Sequence, residues 1–222
     1  MYLVEAKPAD PQAANGDTID GAAPTVGPGG KWAHFPNSHI SHHGAPCCDI
    51  AHEWLIAFDF AQLNGGDVLS GPRWMREHSS WGPTPWPIHW CEAVDAKTVD
   101  CGVHAALAHE AFTARGVTAF RAQFIQRYSA DAAASWRENW GKERVSDHWI
   151  DGEAIYHEGN AVLVGTDAVK LWDGSAGWWI NARGAGGYGS LAAVRIEADA
   201  DAFAEGLRWG ERRIMPNRWV AV

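Results

Sequence analysis

Helical spacing of apolar residues dominates the first half of this chain, and strand-like alternation dominates the second. From position 51 to 63, Trp54, Leu55, Phe58 and Leu63 can share one helical face, and Asn64-Gly65-Gly66 stops the run. The alanine-rich segment from Cys101 to Ala114 predicts a second helix. Asp100 serves as its N-cap, Leu107, Ala108, Ala111 and Phe112 offer a face to bury, and Arg115-Gly116 ends it. Residues 129–149 read as a helix or helical loop capped by Ser129. Alternation predicts strands at 117–126, 160–164, 168–172, 177–181 and 190–197, with Gly165-Thr166-Asp167 turning the second into the third as a hairpin. Residues 199–209 read as a short acidic-capped helix, followed by a valine-rich tail. Helices first and antiparallel strands afterwards predict an α+β fold. No repeat at solenoid periods is present.

Composition narrows what such a fold can do. With 222 residues and 46% hydrophobic side chains, one domain with a sizeable core is expected. A formal charge of −9 and the lack of any Lys/Arg run argue against a nucleic-acid or anionic-membrane partner. No apolar stretch reaches membrane-spanning length, and the first residues lack a basic start followed by an apolar block. Four cysteines, none in a C-x-x-C pair, suit an intracellular, cytoplasmic protein with reduced thiols. A Cys91–Cys101 disulfide would be the competing arrangement.

Residues 1–31 are rich in Ala, Pro, Gly and Asp, and read as a flexible N-terminal arm. The next segment, 32–52, gathers His39, His42, His43, Cys47, Cys48 and His52. Its donor types suit zinc, with His39, His43, Cys47 and His52 as the ligand set, but the spacing matches no familiar zinc pattern. A polar loop near the cleft is the simpler reading. Residues 70–90, dense in Pro, Gly and Trp, read as an irregular wrapping loop.

The residue types that carry chemistry are Cys101, His157 and Asp173. A thiol at a helix start gains from the positive end of the helix. His157 follows fifty-six residues later at the opening of a strand-like segment, and Asp173 sixteen residues after that at the close of the next. In a hairpin these two positions fall at nearly paired ends. An imidazole can take the thiol proton, and a carboxylate can fix the ring and stabilise its charge. The order Cys–His–Asp on helix, strand and strand therefore points to acyl transfer through a thioester. No cofactor is needed for it. The backbone N–H of Cys101 is the first candidate for an oxyanion donor, and the indole of Trp90 or Trp86 is the second. His104, one turn into the helix, and Trp172, beside the aspartate, are candidates to border the cleft. His148 is a reserve base, and His89 is a neighbour of the cleft. Fourteen tryptophans either fill the core or line an apolar cleft around the thiol.

The pieces Asp100-Cys101-Gly102, Tyr156-His157-Glu158 and Lys170-Leu171-Trp172-Asp173 resemble the transglutaminase-like superfamily. The resemblance spans roughly residues 95–182. That family often has an aromatic residue soon after the histidine, where this chain has Glu158-Gly159-Asn160. The resemblance implies a transglutaminase-like (papain-like cysteine) core at 32–222, its cysteine-bearing helix packed on an antiparallel sheet. It also implies an acyl-enzyme on Cys101. The acyl donor would be a small molecule or a peptide, a carrier-protein thioester among the choices, and the acceptor an amine, giving an amide. Water as acceptor gives the alternative, a cysteine peptidase or amidase. A non-catalytic tryptophan-lined binding module and a metal-dependent hydrolase are readings of other classes. Gly184-Ala185-Gly186-Gly187-Tyr188-Gly189 precedes a strand-like segment, so it reads as a hairpin loop or lid and not as a phosphate cradle.

Overall fold

The structure, a computed structural model, describes residues 79–82, 88–139, 153–180, 190–199 and 201–222, with Glu77 and Thr84. The arm at 1–31, the histidine-rich segment, the expected helix at 51–63 and the Gly184–Gly189 loop all lie outside them. Three helices are described: α1 (Trp90–Asp95), α2 (Cys101–Ala114) and α3 (Ala130–Asn139). Two short strands, β1 (Ser80–Trp81) and β2 (Thr98–Val99), pair in parallel. The main sheet holds β3 (Ala119–Arg127), β4 (Ala154–Val164), β5 (Ala168–Asp173), β6 (Trp178–Ile180), β7 (Ser190–Glu197), β8 (Leu207–Trp209), β9 (Arg212–Ile214) and β10 (Val220–Ala221). Their order is β10-β7-β3-β4-β5-β8-β9, with β6 also on β5. Every pairing in this sheet is antiparallel except β5 with β8. The fold is thus mixed α and β, sheet-rich, with a helix packed on the sheet.

Local signals account for α2. Asp100 caps it, its Oδ1 accepting the Val103 N–H at 3.1 Å, and the N–H groups of Arg115 and Gly116 close its last turn on Phe112 and Thr113. The helix is buried on nearly all sides: Cys101 through Ala108, Ala111 and Phe112 are buried. A helix apolar all round belongs in a core, and α2 is covered from two directions. On one, Val103, Leu107 and Ala111 pack with Ile88, Trp90, Ala93 and Val99. On the other, Ala108 and Phe112 pack with Ala119, Val162 and Trp172 of the sheet. Small residues at Gly102, Ala105 and Ala108 let the backbone approach closely, so that Asn160 Nδ2 donates to the Ala105 carbonyl at 3.0 Å. A second apolar layer holds Phe124, Ala161, Leu171, Val194, Ile196 and Ile214.

Several boundaries differ from the sequence expectation. The hairpin of β4 and β5 forms around the expected turn, but β4 begins at Ala154, six residues earlier. His157 therefore lies inside a long strand. Helix α3 keeps its cap, Ser129 Oγ accepting the Ala132 N–H at 3.2 Å, and is described as far as Asn139. The helix expected at 199–209 does not form. A turn leads to Gly206 at φ 78°, a left-handed conformation that ends any helix there, and Leu207–Trp209 then pairs with Arg212–Ile214. The 70–90 loop carries β1, and α1 starts at its end. At the outer edge, Arg212 and Arg213 of β9 are exposed. The Nη1 of Arg213 folds back on the carbonyls of Glu205 and Gly206.

Candidate active site

Cys101 is the first residue of α2, and its thiol is buried and free. Cys91 is also free, so the Cys91–Cys101 disulfide is not formed. His157 rises from β4 beside the thiol, and each shifts the other's proton affinity. Its Nε2 stands 3.0 Å from Asp173 Oδ2 at the end of β5. The ring tilt carries its N–H off the line between them, but the separation is that of a hydrogen bond. With Nε2 turned to the carboxylate, Nδ1 is the nitrogen left for the sulfur. The three groups read from the sequence therefore meet in one place, in the order sulfur, imidazole, carboxylate.

The hairpin register explains the meeting. Asn160 pairs with Trp172, so one step on Asp173 lies level with Gly159, and His157 is its diagonal neighbour. Gly159 keeps that corner open: a Cβ there would run into the Trp172 carbonyl oxygen and the Phe124 ring. Phe124, opposite His157 on β3, sets its ring 6.2 Å from the imidazole. Asp173 is fixed from its other oxygen, Oδ1, which accepts the N–H groups of Ser175 at 2.9 Å and Ala176 at 3.1 Å.

Burial opposes charge on all three groups, and their neighbours decide the outcome. Burial pushes the Cys101 thiol up. His157 pulls it back in part, while the carboxylates of Asp100 and Glu158 add to the rise. Burial lowers the basicity of His157, but the Asp173 carboxylate and the thiol more than offset this, and the imidazole is held well above its ordinary range. Asp173 is pushed up by burial and pulled further down by His157 and the Ala176 N–H, ending below its usual value. Asp173 thus favours a proton on the ring, while burial and the carboxylates near the sulfur favour one on the thiol.

The other residues singled out in the sequence are placed as follows. His104 is buried in the first turns of α2, near Asp173. Trp90 is buried in the cluster on the α1 side of the helix. Trp172 is fully buried, edge-on to Phe112 at 6.3 Å and to Trp179 at 5.2 Å, so it is core and not cleft lining. His89 is the N-cap of α1. Trp86, His148 and the zinc candidates His39, His43, Cys47 and His52 lie outside the described residues.

Sequence reasoning missed the surroundings of the thiol. Glu158, next to His157, is buried and bound by Arg121 Nη2 at 2.6 Å and by the Tyr156 hydroxyl at 3.0 Å. The same Arg121 nitrogen donates to the Gly102 carbonyl at 3.3 Å, next to Cys101. No local pattern announces a contact across 37 positions. The only available signal for Glu158 was its place where the resembled family often has an aromatic residue soon after the histidine. Beyond Arg121 an open cleft of about 430 Å³ is lined in part by His109, Phe120 and Asn217.

No family model matches the chain, and no curated protein matches it. Among solved structures it is similar to a protein of Cytophaga hutchinsonii described as a candidate cysteine protease, at 13% identity and a TM-score of 0.37. The match covers 81% of this chain and 60% of that one. A likeness this faint carries no argument about activity, and the chemistry rests on the geometry above. Among the described residues no helix is long and apolar enough to cross a membrane.

Proposed function

We propose that the protein is a cysteine-dependent acyl-transfer enzyme with a transglutaminase-like catalytic core at 32–222. The single observation that carries this is His157, which acts on the Cys101 thiol on one side and stands 3.0 Å from Asp173 on the other. Cys101 is the nucleophile, His157 the general base and acid, and Asp173 the group that orients and charges the ring. The thiol proton moves to His157, and sulfur attacks the acyl carbon of the donor. The ring proton leaves with the departing group as its bond to carbon breaks. An amine then gives a proton to His157 and attacks the thioester, forming the amide and releasing the thiol. The N–H of Cys101 receives the oxyanion charge in this reading, which its position in the first turn of α2, where amides lack helical partners, supports. The donor is a small-molecule or peptidyl acyl compound, with carrier-protein thioesters included. Water in place of the amine gives a peptidase or amidase by the same steps.

The test is acyl-enzyme capture. The full chain is incubated with a panel of acyl thioesters and glutaminyl peptides, with and without a labelled amine, and examined by intact-mass spectrometry. An acyl adduct mapping to Cys101, absent from folded Cys101→Ala and discharged by the amine, is the expected result. Discharge only to free acid selects the hydrolase reading. Equal turnover by wild type and Cys101→Ala would remove the proposal altogether.

A further inference from the structure

The thiol and the imidazole approach each other from separate elements, so something must hold α2 and β4 in register at that point. Tertiary packing of Ala108 and Phe112 on the sheet fixes the later turns of the helix. At the first turn the contact is polar. Gly102 directly follows Cys101, and Glu158 directly follows His157. Arg121 of β3 joins these two neighbours through one guanidinium nitrogen, 3.3 Å from the Gly102 carbonyl and 2.6 Å from Glu158 Oε2. Tyr156, on the other side of His157, holds the second carboxylate oxygen at 3.0 Å. Arg121 and Glu158 keep only 11% and 2% of their side-chain surface. An ion pair so enclosed is a poor source of stability but a strict geometric device.

We infer that Arg121 and Glu158 are positioning residues, a charged staple that sets the distance between the Cys101 thiol and the His157 ring. This rests on the acyl-transfer reading. The staple bonds to the residue after each reacting group and to neither group itself, so it can align them without taking part in proton transfer. Only a guanidinium or another donor reaching two acceptors at once can do this, and the fixed fork of arginine suits it. The charged and titratable groups around the sulfur are then Asp100 from the helix cap, His157, Tyr156 and Glu158 from β4, Arg121 from β3 and, through the ring, Asp173 from β5. The cation of Arg121 offsets the Glu158 carboxylate, whose charge would otherwise stand unopposed beside a forming thiolate.

The experiment is the pH profile of iodoacetamide labelling at Cys101, read by peptide mapping against Cys91 in the same molecules. Wild type should show a limb, faster than that of Cys91, where the thiol proton passes to His157. In Arg121→Met that limb should drop about tenfold, the effect of making the thiolate one decade scarcer. Arg121→Lys, which keeps the charge, should recover most of it. Arg121→Met leaves a buried carboxylate alone and can fail to fold. The double variant Arg121→Met/Glu158→Gln removes both charges and keeps the shape, and it should show the same loss of the limb with native circular dichroism. A folded double variant with the wild-type profile would overturn the staple and leave the acyl-transfer reading standing. A wild-type Cys101 no faster than Cys91 at any pH would overturn both.

Discussion

Replacing Asp173 with Asn tests the relay while sparing its scaffold. The amide oxygen of Asn can still accept the Ser175 and Ala176 N–H groups that Oδ1 accepts now, so the turn after β5 should survive. What disappears is the charge opposite His157. Two unit charges 3.0 Å apart attract by about 5 kcal/mol at an effective dielectric of 20. The tilt of the ring N–H and the burial of the carboxylate take away about half, leaving about 2–3 kcal/mol for the imidazolium form. That is roughly 30- to 150-fold in the population of the thiolate–imidazolium pair. Iodoacetamide labelling of Cys101 near pH 7 should slow by this factor, with Cys91 unchanged as an internal reference and circular dichroism unchanged as a check on folding. A rate within threefold of wild type across the pH range would refute the reasoning, because it would mean that Asp173 does not govern the charge on the ring.

Other expectations follow from the same geometry. Asp100→Asn keeps a good N-cap but removes a charge that raises the thiol pKa, so labelling of Cys101 at neutral pH should become about threefold faster with little change in melting temperature. Gly159→Ala drives a methyl group into backbone and ring atoms. It should cost about 3 kcal/mol in urea denaturation and slow labelling as well. The His157–Asp173 pair stabilises the fold in a defined pH window. The Asp173 share is present above its ordinary 3.8 and is lost as pH falls through its depressed folded value. The His157 share is full below its ordinary 6.5 and is lost as pH rises through its raised folded value. The stability gap between wild type and His157→Gln should therefore be widest between about pH 4 and 6.5 and shrink on either side, measured by urea midpoints.

The helix that carries the thiol was legible because its signals are local: a capping Asp100, an apolar run and the Arg115-Gly116 stop. Strands β5 and β7 were legible by alternation, and the turn between β4 and β5 by its residue types. That Cys101, His157 and Asp173 would lie together was legible from order and spacing, since a short hairpin limits how far His157 and Asp173 can part. The start of β4 was not legible, because Ala154–Gly159 owes its strand form to pairing with β3 and its buried polar residues to partners far along the chain. Glu158 stood out only as a departure from a family pattern, though it is bound on both oxygens. The acidic residues at 199–205 suggested a helix, but Gly206 and the chance to extend the sheet decided otherwise. Trp172 looked like a wall of the cleft because it adjoins Asp173. On a strand, adjacent side chains point to opposite sides, and its indole went to the core.

The short strand β9 has a consequence for how molecules of this protein meet. An open border of a sheet invites another chain to add itself by backbone pairing, and long apolar borders are where such growth begins. Among the described residues the border ends in three residues, two of them arginines facing water. A newcomer would have to lay its own chain along clustered positive charge for the sake of very few hydrogen bonds. Crowding many copies together should therefore not seed fibres from this side, and exchanging Arg212 for valine is the change that would lift that protection.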